Sequence, residues 1–257
     1  MLAKERQEQI QNLLKANGAV TTSDLMERFG VSVETVRRDL LNMERAGSLQ
    51  RVHGGAVPPG GVTPFRELKS RMQDHVPQKR QLCRTSVSFV EEGDSIAVDA
   101  GSTAVIFAEA LKERFTRLTV VTYSLDVFDL LKDHRDFQVI LCGGVCIPEE
   151  NMLVGPLAEK MMGMLRVSKA FLFPTAVSVQ HGICNHIQAC FSMVRALTAS
   201  ADQCYILADS SKFERSDLLK QSDMLPGYIY ITDPELPEGM KKMYEENGIT
   251  VLTEVEA

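Results

Sequence analysis

Residues 31–40 read Val31-Ser32-Val33-Glu34-Thr35-Val36-Arg37-Arg38-Asp39-Leu40, and they decide how the front of the chain folds. Val36 and Leu40, with Met43 beyond them, recur at helical spacing and form one apolar stripe. Ser32 stands ahead of the stripe as an N-cap, Glu34 puts an acid in the first turn, and Gly47 closes the helix after about Ala46. Ser32, Glu34, Thr35, Arg37 and Arg38 fall on the side away from the stripe. Hydroxyls and guanidinium groups at a helix start suit DNA, because arginine pairs in a bidentate way with guanine and the free amides favour phosphate.

The flanking segments extend this reading. A helix is expected over 2–17, with Ile10, Leu13 and Leu14 inward and Gly18 as its stop. A second helix starts at Thr22 or Ser23, buries Leu25, Met26 and Phe29, and ends at Gly30. Two helices joined by a tight glycine turn make a helix-turn-helix, whose later helix enters the major groove. Two short strands, 48–52 and 56–57, follow, with His53-Gly54-Gly55 as the tip between them. That hairpin is a wing. The expected DNA contacts are Thr22, Ser32, Thr35, Arg37, Arg38, Arg51, His53 and Gly54. Two arginines on an amphipathic helix are by themselves an ordinary solvated face; the whole arrangement of turn, helix and wing points to DNA.

The chain has 257 residues, 44% hydrophobic and 24% charged, which is ordinary globular composition with ample length for a core. Residues 1–60 hold eight Lys/Arg against seven Asp/Glu, about +1, so of the overall formal charge of −6 the rest carries about −7. DNA contact is then local rather than global. The polar first residues are no signal peptide and no apolar run approaches a membrane span, so a cytoplasmic protein without a membrane partner is expected. Six scattered cysteines read as reduced thiols.

Pro58 to Pro64 reads PPGGVTP and is taken as a linker between a winged helix-turn-helix at 1–57 and a second domain at 65–257. In the second domain short apolar runs alternate with helical patterns from 95 to 252. This implies an α/β fold with a mostly parallel sheet covered on both faces. Asp99-Ala100-Gly101-Ser102-Thr103 follows an apolar strand and opens a helix, where glycine, hydroxyls and free amides suit phosphate and Asp99 suits sugar hydroxyls. A helix cap explains the same loop without a ligand. Thr122-Tyr123-Ser124, Gly143-Gly144 and Asp209-Ser210-Ser211-Lys212 also end strands. In open α/β sheets, ligands gather at such carboxyl ends. The expected effector residues are Asp99, Gly101, Ser102, Thr103, Thr122, Ser124, Gly143, Gly144 and Lys212.

The run 31–40, followed by Gly47-Ser48-Leu49-Gln50-Arg51-Val52-His53-Gly54-Gly55-Ala56, resembles the N-terminal signature of the DeoR family of bacterial regulators. The resemblance implies that Thr35, Arg37 and Arg38 face DNA, that Asp39 orients an arginine, and that 51–55 form the wing. Most of 65–257 resembles that family's sensor half, which implies a fold like ribose-phosphate isomerase and a phosphorylated-sugar ligand. The matching positions are Arg71, Lys79, Asp99, Gly101, Ser102, Thr103, Thr122, Ser124, Gly143, Gly144, Gly155 and 209–212. The chain departs from the family pattern at Tyr123, where asparagine is usual, and at Ile147-Pro148, where an arginine is usual. It also departs at Phe173-Pro174 and at Ile183-Cys184-Asn185-His186. The expected function is a ligand-controlled repressor of carbohydrate genes, acting on a double-stranded DNA operator as a homodimer or homotetramer. An isomerase-like enzyme with a DNA-binding head is the alternative, disfavoured because no placed general base is evident. No cofactor is expected. His181, Cys184, His186 and Cys190 lie within ten residues but lack paired metal-ligand spacing, so they read as core thiols and loop imidazoles.

Overall fold

A computed structural model describes residues 3–17, 20–52, 55–57 and 66–254. His53, Gly54 and the segment 58–64 lie outside the described residues. The chain divides into two compact units, Met1–Pro64 with Arg215–Leu218 and Phe65–Glu214 with Leu219–Ala257.

The first unit runs α1 (Ala3–Asn17), β1 (Val20–Thr21), α2 (Thr22–Phe29), α3 (Val33–Arg45), β2 (Gln50–Val52) and β3 (Gly55–Val57). Gly30 ends α2 at φ +62°, with its amide on the Met26 carbonyl at 2.9 Å. Ser32 caps α3, its Oγ accepting from the Thr35 amide. At the other end Gly47 lies at φ +68°, and the Gly47 and Ser48 amides donate to the Glu44 and Met43 carbonyls, each at 2.9 Å. That pair of bonds is a Schellman closure and requires a left-handed residue, which glycine supplies without strain. β1 pairs with β3, and β3 with β2, all antiparallel. β1 lies beyond what the sequence pattern predicts; two residues are too short for a period to show. Ile10, Leu14, Leu25, Val36, Leu40, Met43, Leu49 and Ala56 form the core. One ion pair is buried beside it: Arg6 Nε donates to Asp39 Oδ2 at 2.7 Å.

The second unit runs α4 (Leu68–Arg71), α5 (Val76–Ser86), β4 (Ser95–Val98), α6 (Ser102–Arg114), β5 (Thr119–Thr122), α7 (Leu125–Leu131), β6 (Gln138–Leu141), β7 (Val145–Ile147), β8 (Met152–Val154) and α8 (Pro156–Gly163). It continues through β9 (Val167–Leu172), β10 (Ala176–Ser178), β11 (Gly182–Asn185), α9 (Ala189–Ala199), β12 (Ala201–Leu207), β13 (Leu219–Ser222), β14 (Ile229–Ile231), α10 (Glu238–Glu246) and β15 (Thr250–Leu252). Seven strands form one parallel sheet in the order β15-β14-β12-β9-β4-β5-β6. Side chains alternate across it. Ala97, Val121, Ala170, Leu172 and Ile206 enter one buried cluster, and Ile96, Val98, Val120, Phe171, Tyr205 and Leu207 the other. Both faces being covered explains why these strands read as continuous apolar runs.

Two elements break the expected alternation. β7 and β8 make an antiparallel hairpin, and β10-β11-β13 make a separate antiparallel sheet. Their strands are only three or four residues long, too short for an apolar run or an alternation to stand out, and β11 and β13 also carry Asn, Lys and Gln. A Cβ on Gly144 would meet the Val154 carbonyl oxygen at 2.4 Å, and one on Gly182, at φ +75°, would meet that of Ser222 at 2.1 Å. Both glycines therefore let strands approach.

Asp39→Ala is expected to destabilise the first unit by about 3–5 kcal/mol, because the Arg6 charge loses its buried carboxylate. Urea denaturation followed by hydrogen exchange of α3 amides measures the shift; parental stability would show the pair to be dispensable.

Candidate functional site

In the first unit, α3 buries Val36, Asp39, Leu40 and Met43 and leaves Ser32, Glu34, Arg37 and Arg38 exposed, with Thr35 half-buried. The Ser32 and Thr35 hydroxyls lie 3.1 Å apart. Arg37 Nη1 donates to Glu34 Oε1 at 3.0 Å, an exposed pair of little strength. Arg51 lies exposed on β2, its amide donating to Glu44 Oε1 at 2.8 Å. Thr22 is the first residue of α2 and half-buried. The wing residues His53 and Gly54 lie outside the described residues.

In the second unit the strand order reverses between β4 and β9, so the crevice at their carboxyl ends is where an open α/β sheet holds ligand. Asp99 occupies that point. Its Oδ1 accepts from the Ala100 amide at 2.8 Å and from the Tyr123 hydroxyl, and its Oδ2 accepts from the Phe173 amide at 3.1 Å. Burial pushes its carboxyl pKa up, and these hydrogen bonds with the nearby Lys212 charge oppose the rise. Burial and the Asp99 charge drive the Tyr123 hydroxyl upward as well, so it stays a donor.

Gly101 precedes α6 at φ +132°, and Ser102 and Thr103 are buried at the helix start. The first amides of a helix lack intrahelical partners and carry positive potential. Thr103 Oγ1 is buried without a hydrogen-bond partner. Lys79, 2% exposed, donates from Nζ to Ser102 Oγ at 3.0 Å and to the Arg71 carbonyl at 2.7 Å. Lys212 Nζ donates to the Pro174 carbonyl at 2.9 Å and stands 3.9 Å from Asp209 Oδ2. Burial and Lys212 push the Lys79 pKa down to about 8; burial also lowers that of Lys212. Two lysines with lowered pKa, near the start of α6 and a hydroxyl without a partner, make up a cradle with the chemistry that suits an oxyanion.

Not every expected effector residue enters this cradle. Thr122 Oγ1 accepts from the Ser124 amide at 3.1 Å, and Ser124 Oγ accepts from the Val127 amide at 3.3 Å and caps α7. These hydroxyls hold the turn that aims Tyr123 at Asp99. Gly143 and Gly144, like Lys79, Gly101, Ser102, Thr103 and Lys212, line neither of the two cavities that border Asp99, and Gly144 packs on β8. The smaller of these cavities joins Asp99 and Tyr123 to Arg71, Glu150 and His186. Glu150, from the turn between β7 and β8, pairs with Arg71, and its Oε1 lies 3.7 Å from His186 Nε2. Sequence reading misses Glu150, since an acid in a polar turn looks solvated. Cys184 and Cys190 are buried, and among the described residues no three of His, Cys, Asp or Glu converge to hold a metal ion.

A sequence model of the DeoR-like helix-turn-helix domain matches residues 6–59, and one of the DeoR C terminal sensor domain matches residues 74–234. The chain is 29% identical to an uncharacterized HTH-type transcriptional regulator, YulB, of Bacillus subtilis, over 98% of this chain and 96% of that one. It is 31% identical to a lactose phosphotransferase system repressor of Staphylococcus epidermidis, covering 89% and 91%. Ribose 5-phosphate isomerase A of Methanocaldococcus jannaschii superposes at a TM-score of 0.38 with 17% identity, over 52% and 53% of the two chains. That superposition is too loose to transfer anything. Among the described residues no helix is long and apolar enough to cross a membrane.

An anion in the cradle favours the charged form of Lys79, so binding takes up a proton once the pH passes about 8. Sulfate, whose own charge is constant in this range, is expected to bind progressively more weakly as pH rises, approaching about tenfold per unit above that pKa. Calorimetry in two buffers reads the proton uptake. A flat profile would place the anion away from Lys79.

Proposed function

Since the chain belongs to the DeoR family of transcription regulators, we propose that Arg37 and Arg38 of α3 grip a double-stranded DNA operator and that a phosphorylated small molecule in the α6 cradle controls that grip. The observation that carries the reading is the division of α3: its apolar stripe is buried while two adjacent guanidinium groups stand exposed beside a capped helix start. Ser32, Thr35 and the wing from Arg51 to Gly54 add contacts, and Thr22 meets the backbone at the start of α2. In this mode Arg37 exchanges Glu34 for phosphate or a guanine edge.

The effector is a sugar phosphate. Its phosphate sits on the amides of Gly101, Ser102 and Thr103 between Lys79 and Lys212, and Thr103 Oγ1 gains the partner it lacks. The protein acts as a repressor of carbohydrate genes in the cytoplasm; the named lactose repressor supports that sense of control. A dimer or tetramer presents two reading helices to half-sites about 34–36 Å apart or a multiple of that. The site binds rather than catalyses, because its Asp99 carboxylate is hydrogen-bonded to three protein donors and not poised as a base.

The effector's influence on DNA requires different affinity for two states of the protein. Fluorescence anisotropy with DNA from upstream of the protein's own gene is the test. Arg37→Ala and Arg38→Ala are each expected to weaken binding by about 1–3 kcal/mol and to flatten its salt dependence, with the circular dichroism unchanged. Parental affinity in both variants would remove α3 as the reading helix. Lys212→Met should leave DNA affinity intact and abolish its response to sugar phosphate.

A further inference from the structure

We propose that the second unit holds another small-molecule site, a groove along α9 that takes an aromatic carboxylate. The groove encloses about 380 Å3, within the range of about 300–1,000 Å3 usual for small-molecule sites. Leu172 of β9 and Ile206 of β12 line it from the sheet, Ile183 from β11, Phe191 and Val194 from α9, and Tyr228 from the segment before β14. Native interiors close such apolar space by packing, and a dry apolar cavity of about 150 Å3 already admits benzene. This one has room for a fused ring and a substituent.

Arg195 decides what the substituent is. It lines the groove and is exposed, four residues from Phe191 and so on the same side of α9. Its guanidinium has no hydrogen-bond or ion-pair partner among the described residues, and no other Lys or Arg lines the groove. A planar fork of N–H donors matches a carboxylate in two parallel bonds. One cation balances a monoanion, whereas a phosphate dianion finds the second cation only in the α6 cradle. The two sites are different places. Gly101, Ser102, Thr103, Lys79 and Lys212 do not line the groove; of the cradle's neighbourhood only Asp99 and Pro174 do. Asn185, Ser192, Thr198, Gln221 and Ser222 also line the groove, and the Asp99 carboxylate borders it but is already held by three protein donors. The aromatic walls and one unpaired guanidinium on the α9 side therefore select a flat hydrophobic acid whose carboxylate lies at Arg195.

The probe is 2-naphthoate, titrated into the full chain by calorimetry. We expect saturable one-to-one binding with a Kd of about 1 mM or tighter, as its size allows. Arg195→Gln should weaken it about tenfold or more, the loss of a charge-assisted pair. Phe191→Ala should weaken it too, and 2-naphthalenemethanol should bind parent and Arg195→Gln alike. Saturating sulfate, which fills the α6 cradle, should leave naphthoate affinity unchanged. Absence of saturable binding overturns the proposal, as does equal affinity in parent and Arg195→Gln. Competition by sulfate with no loss in Arg195→Gln also overturns it and puts the naphthoate in the cradle.

Discussion

Three neighbouring strands of the sensor sheet end on a single buried carboxylate. Asp99, just past β4, receives the amide of Phe173, just past β9, and the hydroxyl of Tyr123, just past β5. A buried amide left without an acceptor costs about 1–3 kcal/mol, so the carboxylate satisfies groups that the parallel sheet cannot pair beyond its last rung. The location matters as much as the energy. β4 and β9 flank the point where strand order reverses, and the chain leaving Asp99 turns at once through Gly101 into α6. The direction of that helix, and hence where its free amides point, follows from how Asp99 is held. Sequence reasoning assigns Asp99 to a sugar hydroxyl. The structure gives its oxygens three protein donors, so its first role is to hold the strand ends together.

The cradle that results is costly when empty. Lys79 and Lys212 repel each other, and both lose hydration. Asp209 offsets part of this, as does Asp74 at Lys79. Buried charge without full compensation lowers stability, and for Lys79 the loss persists below pH 8 and is relieved as pH rises toward its ordinary value of 10.5. An oxyanion removes the repulsion and completes the hydrogen bonds together. Arg71 adds its charge to the repulsion at both lysines. Its guanidinium is paired with Glu150, and the Arg71 carbonyl, not the guanidinium, receives Lys79. An incoming anion would have to compete with Glu150 to use Arg71, whereas the two lysines need only a small release from neutral acceptors.

The helices and the seven strands of the parallel sheet are legible in the sequence because period and punctuation agree. Ser32 and Gly47 bracket α3, and strands such as Ser95–Val98 stand as apolar runs between turns. The start of α6 is legible for the same reason, since Gly101-Ser102-Thr103 follows an apolar strand and opens a helix. What escapes is set by distant partners. Glu150 and Arg71 are 79 residues apart, and nothing local marks either as half of a pair. Thr122 and Ser124 carry a role that the sequence does not single out: polar side chains at a strand end suit a ligand and a turn equally, and here each accepts a backbone amide of the turn. Tyr123 stands out in the sequence as a departure from a pattern, but only the structure shows its hydroxyl reaching Asp99.

The same interplay of distant partners shapes the reading helix. Asp39 adjoins Arg38 in sequence, and a free carboxylate there would set a negative charge against the phosphates that α3 is to approach. It does not, because Asp39 turns inward and meets Arg6 of α1 at 2.7 Å, where both are buried. Seen from a phosphate about 10 Å away, the pair is close to neutral, and screening at that range weakens what remains. The exposed start of α3 then carries Arg37 and Arg38 against Glu34, while Glu44 further along pairs with Arg51. The ion pair that anchors α1 to α3 thus also sets the sign of the surface that α3 exposes.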